Sequence, residues 1–204
     1  MDADVVIIGG GIAGLSLAWR LAPTLSVVVV EAEETLAFHS SSRSARQMQP
    51  SYGPDPIQEL TRRSIALVQQ ISAGLPTPIL KPRPLLTLGS ESEVRALVGT
   101  NANLVAVEQA DAMLLSTDLR PEVFEAAALD GTSMEVDVPA LIDYYRSQAL
   151  AAGAVILTGA PVQAAATNAG GGFAVVAGVH VISAATVVNA AGAWADTVAA
   201  LFRV

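Results

Sequence analysis

Four apolar residues followed by three glycines restrict the fold of this chain more than any other feature of its sequence. The apolar run is Val5–Ile8, and the glycines that follow it, with Gly14, complete the pattern G-x-G-x-x-G. An uninterrupted apolar run is typical of a strand buried on both faces of a parallel sheet. Apolar residues then recur at a spacing of four over 13–21, which predicts a helix that Pro23 ends. A second buried strand is predicted at Ser26–Val30, so the chain opens with a βαβ unit.

The glycine pattern has the spacing of a turn that holds a dinucleotide. Gly9 permits the tight turn, Gly11 lets the backbone approach a pyrophosphate, and Gly14 lets the helix pack closely on the strand. The unpaired amides at the start of the helix, at Ile12 and Ala13, would stabilise the phosphate charge. A glycine-rich turn without a ligand is the alternative interpretation.

An acidic residue at the end of the second strand strengthens the dinucleotide hypothesis. Glu31 follows Gly9 by about 20 residues, which is the separation expected for the carboxylate that binds the adenosine ribose. This carboxylate can accept hydrogen bonds from both ribose hydroxyls and would repel a 2′-phosphate, so NADP is disfavoured. The choice between NAD and FAD stays open on this evidence.

The acidic composition excludes several classes of function. With a net charge of −8 and only 11 Lys and Arg among 204 residues, binding to nucleic acid or an anionic membrane is not expected. The chain has no cysteine, and His39 and His180 lie far apart in sequence, so we expect no disulfide, no thiolate chemistry and no metal site. No apolar run has the length of a membrane span, and the acidic N-terminus lacks the features of a secretory signal. A cytoplasmic location is therefore expected.

The remaining sequence predicts further helices and strands. Asp55 as a capping residue and Pro56 at the first helical position predict a helix that ends near Gly74. Its predicted apolar face consists of Ile57, Leu60, Ser64, Leu67 and Ile71. The later predictions are a proline-spaced linker over 76–89 with a strand at Leu85–Leu88, a helix over Pro139–Ala152, a strand at 154–157, an antiparallel meander from Pro161 with a turn at 168–172, and a last strand at Thr186–Asn189.

Three segments carry a resemblance to a known family: HSSSRSA at 39–45, LDGTSMEVDVPALIDYY at 129–145 and TVVNAAGAWAD at 186–196. The residue types of HSSSRSA, taken by themselves, are equally compatible with ligand contact and with a surface loop. Taken in series with the glycine turn and Glu31, the segments resemble the D-amino-acid-oxidase type of FAD-dependent oxidoreductase, and within it the D-arginine dehydrogenase branch. The resemblance favours FAD over the NAD of a nicotinamide-dependent dehydrogenase.

The resemblance implies a set of cofactor contacts around the glycine turn. These are Gly9, Gly11, Ile12, Ala13 and Gly14 at the turn; Glu31 and Ala32 at the adenosine ribose; Ser40, Ser41, Ser42, Arg43, Ser44 and Ala45 at the pyrophosphate and the flavin side; Val162 at the adenine; and Ala190, Ala191, Gly192 and Trp194 near the ribityl chain. For Trp194, packing is the alternative. Tyr144 and Tyr145 are interpreted as packing or surface residues, and His39 and His180 as structural.

The resemblance also implies two residues on the substrate side. Tyr52 matches a tyrosine that closes over the substrate, and Gln47 stands where relatives have an active-site histidine. Because an amide does not titrate, position 47 cannot carry a proton here. Ser42 in place of a glycine and Arg46 in place of a small residue are further departures from the family pattern.

The implied fold is α/β: a Rossmann-like FAD-binding domain with a parallel sheet, helices and an antiparallel meander, and part of an inserted substrate domain. The expected boundaries are 1–75 and 139–204 for the first and 76–138 for the second. The implied reaction is oxidation of the amine of a D-amino acid to the imine. Family members are longer, so we expect one chain of a split enzyme with a second polypeptide supplying the C-terminal half, a fragment, or a shortened relative. A non-catalytic dinucleotide-binding subunit is the alternative.

Overall fold

The computed structural model describes residues 1–168 and 171–203, which form two compact units. The first unit is Met1–Ser44 with Val138–Val204, and the second is Ala45–Asp137. The expected domain boundary at residue 75 falls inside the second unit, because the helix over 55–72 packs there on the strand over 80–82. The roles expected for the two domains remain predictions.

Short strands and helices alternate along most of the chain. In chain order they are β1 (Asp2–Ile8), α1 (Ile12–Leu21), β2 (Val27–Val30), β3 (Gln47–Met48), α2 (Asp55–Ser72), β4 (Leu80–Pro82), β5 (Leu85–Gly89), α3 (Glu91–Thr100), β6 (Val105–Glu108), α4 (Gln109–Leu115), β7 (Ala126–Asp130), β8 (Met134–Val136), α5 (Val138–Ala151), β9 (Val155–Leu157), β10 (Val162–Thr167), β11 (Phe173–Ala177), β12 (His180–Asn189) and α6 (Ala195–Leu201). Short 3₁₀ turns occur at Ser40–Arg43, Pro121–Val123 and Gly192–Trp194. Among the described residues, no helix combines the length and the apolar character needed to cross a bilayer.

The first unit is built on a six-stranded sheet with the strand order β10-β11-β12-β1-β2-β9. β1 is parallel to both of its neighbours, β12 and β2, and β9 is parallel to β2. β1, α1 and β2 form the βαβ unit that the sequence predicts. The predicted α/β class, with a parallel sheet and helices, is confirmed.

The second half of β1, Val5–Ile8, and all of β2 are apolar because each side of the sheet faces a core there. Val6 belongs to a cluster that includes Val198 of α6, whereas Ile7 belongs to another that includes Ala18 of α1. Successive side chains of a strand point to opposite faces, so two covered faces require an unbroken apolar run. Val6 and Ile7 are both fully buried.

Tyr144 and Tyr145 of α5 pack against Trp19 of α1, in agreement with their interpretation as packing residues. The ring centroids lie 5.6 Å and 5.1 Å from that of Trp19, the first pair edge-on and the second stacked. Burial, together with the neighbouring Tyr144, raises the pKa of Tyr145 above its ordinary value, so its hydroxyl stays neutral.

The antiparallel meander is an extension of the same sheet, and its last strand is longer than predicted. The predicted strands at 179–183 and Thr186–Asn189 are one strand, β12. Its first half pairs antiparallel with β11 and its second half pairs parallel with β1. Two strands are predicted because the sequence does not show that one strand continues while its pairing partner changes. The predicted turn at 168–172 lies partly outside the described residues.

The second unit contains two antiparallel three-stranded sheets, in the orders β3-β8-β4 and β5-β7-β6. Ala128 and Ala127 of β7 point to opposite faces of the second sheet. Val94 of α3 packs on the Ala128 side, and Ala112 of α4 packs on the Ala127 side. Neither helix is predicted from the sequence, although Ser90 begins α3 with a capping box closed by Glu93.

Helix α2 differs from its prediction at its start and in its buried face. Its N-cap is Pro54, which has no capping side chain, and Asp55 is already helical. The buried residues of the helix are Gln58 and Val68, whereas Ile57 and Leu60 of the predicted apolar face are exposed. The helix therefore carries apolar residues on two faces. The second unit buries the face that contains Val68 and not the face that contains Ile57 and Leu60.

Candidate functional site

Close backbone packing at the first strand-to-helix corner explains two of the three glycines of the pattern. Gly9 has a φ of +116°, and a Cβ there would overlap the carbonyl oxygen of Ala190. A Cβ on Gly14 would overlap the carbonyl oxygen of Gly9 and lie 3.2 Å from Cγ2 of Ile7. α1 thus begins close against the end of β1, and its first amides face the carboxyl edge of the sheet.

The start of α1 has backbone amides that can donate hydrogen bonds to a ligand. Gly11 is the N-cap, with φ −83° and ψ −172°, and no acidic residue stands in the first turn. The first amides of a helix have no partner within the helix, and the amide of Ile12 donates here to Oγ of Ser41 at 3.0 Å. An oxygen acceptor therefore already sits where a phosphate oxygen is favoured.

Glu31 lies at the end of β2 and reaches back to the glycine turn. Its Oε2 accepts a hydrogen bond from the amide of Gly10 at 2.6 Å, and its Oε1 accepts one from the amide of Glu33 at 3.0 Å. These two bonds fix the orientation of the carboxylate. Each oxygen retains a lone pair for a hydroxyl donor.

A cavity of about 490 Å³ in the first unit brings most of the predicted cofactor residues together. Those that line it are Gly9, Gly11, Ile12, Ala13, Glu31, Ala32, Ser40, Ser41, Val162, Ala190, Ala191, Gly192 and Trp194. Its volume is in the range of ligand sites, and its wall is mainly apolar with a few polar groups, as such sites usually are.

The other predicted cofactor residues do not line this cavity. Gly14 lies behind the turn, where the absence of a side chain lets α1 pack closely on the end of β1. Oγ of Ser42 donates to the carbonyls of Phe38 and His39, and Arg43 stacks on the ring of Phe38 at 5.7 Å. Ser44 ends the same segment. Ala45 belongs to the second unit.

His39 also lines the cavity, although the sequence predicts only a structural role for this residue. Its Nε2 lies 2.8 Å from Oε1 of Glu33, and its ring centroid lies 4.5 Å from that of Trp194. The contact between Glu33 and His39 joins two parts of the segment that follows β2, at the wall of the cavity. The spacing of an acid and a histidine across a loop gives no sequence signal for this contact. Residues of α6 complete the wall: Thr197, Val198 and Leu201.

The second unit has its own cavity, of about 430 Å³, which both predicted substrate-side residues line. Nε2 of Gln47 donates to the carbonyl of Arg83 at 3.1 Å, and the side-chain oxygen of Gln47 takes no part in this bond. The side chain of Tyr52 is 69% exposed. The remaining wall is uncharged: Ala45, Met48, Gln49, Ile57, Leu60, Thr61 and Ser64. Among the described residues, no group of three metal-ligating side chains is found in either unit.

Solved structures similar to this chain show the same fold. Glycine oxidase from Geobacillus kaustophilus matches with 22% identity and a TM-score of 0.85, over 99% of this chain and 58% of that one. L-proline dehydrogenase from P. horikoshii matches with 21% identity and a TM-score of 0.89, over 100% and 56%. L-α-glycerophosphate oxidase from Mycoplasma pneumoniae, solved with FAD bound, matches with 20% identity and a TM-score of 0.82, over 98% and 57%. The chain thus spans somewhat more than half the length of these proteins.

A family model also matches the sequence. It is described as DAO, FAD dependent oxidoreductase, and it matches residues 4–204. The glycine turn, the oriented Glu31 and the apolar cavity fit an adenine dinucleotide. This chain therefore belongs to the family of FAD dependent oxidoreductases, and its cofactor is FAD.

Proposed function

We propose that this chain is part of an enzyme that oxidises the amine of a D-amino acid to the imine, with FAD as the acceptor. One observation carries the proposal: the glycine turn, Glu31 and the segment at 39–41 line a single cavity together with the segment at 190–194, which is remote from them in sequence. The structural neighbours described as glycine oxidase and L-proline dehydrogenase support the proposal that the oxidised group is an amine. The D configuration and arginine as a substrate are suggested by the sequence resemblance alone.

The residues of the first unit suit distinct parts of the cofactor. The amides at Gly11, Ile12 and Ala13 would hold the pyrophosphate, because they lie at the positive end of α1. A phosphate oxygen would there replace Oγ of Ser41 as the acceptor of the Ile12 amide. Glu31 would bind the adenosine ribose through the lone pairs that its two backbone bonds leave free. Trp194 is about half exposed at the cavity wall and can cover an aromatic or ribityl group. When bound, FAD supplies the acceptor for the hydride that leaves the α-carbon.

The second unit would bind the substrate. The side-chain oxygen of Gln47 can accept a hydrogen bond from the substrate amine, since its amide nitrogen is already bonded to Arg83. Tyr52 can cover the bound substrate and exclude water. Loss of a hydride from the α-carbon and one proton from the charged amine gives the protonated imine, which water converts to the keto acid and ammonium. Because Gln47 does not ionise, the amine proton must leave to another base or to solvent.

A second function is favoured by the lining of the second cavity. Its wall has no Lys, Arg or His among the described residues, so it offers no cation for a substrate carboxylate. The chain also covers only 56–58% of its structural neighbours. Both observations suit a dinucleotide-binding subunit that acts only with a second polypeptide, which would supply the missing cation.

Anaerobic reduction of the FAD complex distinguishes the two functions. The purified chain is saturated with FAD and mixed without oxygen with D-arginine, D-alanine and their L enantiomers. Bleaching of the flavin colour by the D forms alone supports the oxidation. A coloured complex that none of them bleaches contradicts activity of this chain alone and supports the subunit. A folded chain that takes up no FAD contradicts both.

The variant Gln47→Leu tests the role of the amide. A hydrogen bond to a charged amine contributes about 1.5–3 kcal/mol, so we expect bleaching at low substrate concentration to slow by roughly 10- to 100-fold. Gln69→Leu is the matched control, because Gln69 is exposed on α2 and the chemical change is the same. Equal rates for the wild type and both variants would exclude Gln47 from the substrate site.

A further inference from the structure

We infer that a polar network formed by the buried residues Asp130, Asn101 and Gln58 and the half-buried Asn103 fixes the backbone of residues 49–53 and thereby positions the side chain of Tyr52. The role of Tyr52 at the substrate rests on the proposed function, but the network itself does not. All of these residues belong to the second unit. We name the segment at 49–53 the Tyr52 turn.

The Tyr52 turn is a tight turn whose sequence already restricts it. The amide of Tyr52 donates to the carbonyl of Gln49 at 3.1 Å, which closes a four-residue turn. Pro50 occupies the second position, where its fixed φ is favoured, and Gly53 follows with a φ of +79°. Ser51 is only 8% exposed, whereas Tyr52 is 69% exposed. Pro50 and Ser51 at the centre of the turn are thus buried, and Tyr52 is not.

Asp130 binds the Tyr52 turn through the amide of Ser51. Its Oδ2 accepts from this amide at 3.1 Å, and its Oδ1 accepts from the amide and the hydroxyl of Thr132 at 2.9 Å and 2.7 Å. Asp130 is fully buried. Burial alone would raise the pKa of this carboxyl, but the hydrogen bonds from Thr132 and Ser51 outweigh it and hold the pKa below its usual value. The carboxylate is therefore ionised and acts only as an acceptor.

Side-chain amides bind the carbonyls of the Tyr52 turn. Nδ2 of Asn101 donates to the carbonyl of Ser51 at 2.6 Å, and Nδ2 of Asn103 donates to that of Pro50 at 3.1 Å. Nε2 of Gln58 donates to the carbonyl of Gly53 at 2.9 Å. The amides also bond to one another, since Asn103 donates to Oε1 of Gln58 at 3.0 Å.

Four side-chain hydrogen bonds to three peptide groups of the turn leave its backbone little freedom. Buried polar groups that are all hydrogen-bonded hold a loop rigidly, because each broken bond leaves an unsatisfied group. Any closure of Tyr52 over a ligand is then a rotation of its side chain and not a movement of the loop. The network is a positioning device for the ring.

The variant Asp130→Asn breaks one defined anchor. The amide oxygen of asparagine will take the place of Oδ1, which serves two donors, so that its NH₂ group faces the amide of Ser51. Two donors then meet, and the bond to Ser51 is lost. Asp118→Asn is the matched control, because Asp118 is exposed.

Two measurements on the full chain report the loss. Hydrogen exchange at the Ser51 amide should be slow in the wild type and should accelerate by at least about tenfold in Asp130→Asn, with the paired amides of β7 unchanged. With 3-fluorotyrosine at the three tyrosines, the fluorine signal of Tyr52 should shift or split, and those of Tyr144 and Tyr145 should stay. Asp118→Asn should change neither. Where a D-amino acid bleaches the flavin, the concentration for half-maximal bleaching should rise more than the limiting rate falls.

Fast exchange at Ser51 in the wild type overturns the inference, as does a folded Asp130→Asn chain with unchanged exchange and an unchanged Tyr52 signal. If Asp130→Asn does not fold, Asn103→Ala takes its place and should change the Tyr52 signal in the same way. FAD titration of the same proteins separates this test from the proposed function. Asp130→Asn should bind FAD as the wild type does, and failure of the wild type to bind FAD counts against the proposed function alone.

Discussion

Replacing Gly14 with alanine should destabilise the first unit by at least about 3 kcal/mol. The added Cβ would overlap the carbonyl oxygen of Gly9, which is backbone and cannot rotate away. α1 would have to move from β1, and Ala18 would leave its core cluster. Urea unfolding followed by circular dichroism measures the change in the free energy of unfolding.

Gly99→Ala is the matched control for this change. Gly99 lies within α3, and a Cβ there would meet no atom within 4 Å. Alanine stabilises a helix interior relative to glycine, so this variant should gain up to about 1 kcal/mol. If Gly14→Ala is as stable as the wild type, the close packing at the first corner is not as described.

Replacing Gly11 with valine should leave the fold intact and reduce FAD affinity by at least about 100-fold, or roughly 2.8 kcal/mol. The φ and ψ of Gly11 suit any residue, and a Cβ there would meet only Oγ of Ser41, at 3.1 Å. The valine side chain would occupy the cavity beside the first amides of α1, where the backbone must approach the pyrophosphate. Equilibrium titration with FAD measures the loss.

Gly74→Val makes the same chemical change at a site with open space, in the second unit. It should bind FAD as tightly as the wild type. Circular dichroism of both variants confirms that each is folded. An unchanged FAD affinity in Gly11→Val would place the pyrophosphate elsewhere.

The first unit could be predicted from local patterns because its signals are short-range. The valines of β2 and the apolar run of β1 mark strands covered on both faces, and the glycines between them mark a corner without side chains. These patterns, with Glu31 at the end of β2, predict a dinucleotide fold without any knowledge of the rest of the chain. The FAD family is confirmed, whereas the D-amino acid substrate stays a prediction.

Features that depend on distant partners were not predicted. Asp130 follows Ser51 by 79 residues, and no pattern in either segment indicates that one binds the other. The partner change within β12 is likewise set by β11 and β1 and not by its own sequence. The predicted buried face of α2 is wrong, since the sequence shows two apolar faces and only the fold decides which one is covered. The wall contact between His39 and Trp194 joins residues far apart in the chain.

The central claim is that the corner between β1 and α1, with Glu31 beside it, binds the adenine dinucleotide FAD. The most direct test is calorimetric titration of the purified chain with FAD. The structure predicts saturable binding of one FAD per chain, which ADP weakens by competition because both would bind the same corner. A folded chain that shows no heat of binding, released or absorbed, at two temperatures, or that binds FAD without any competition from ADP, would contradict the claim.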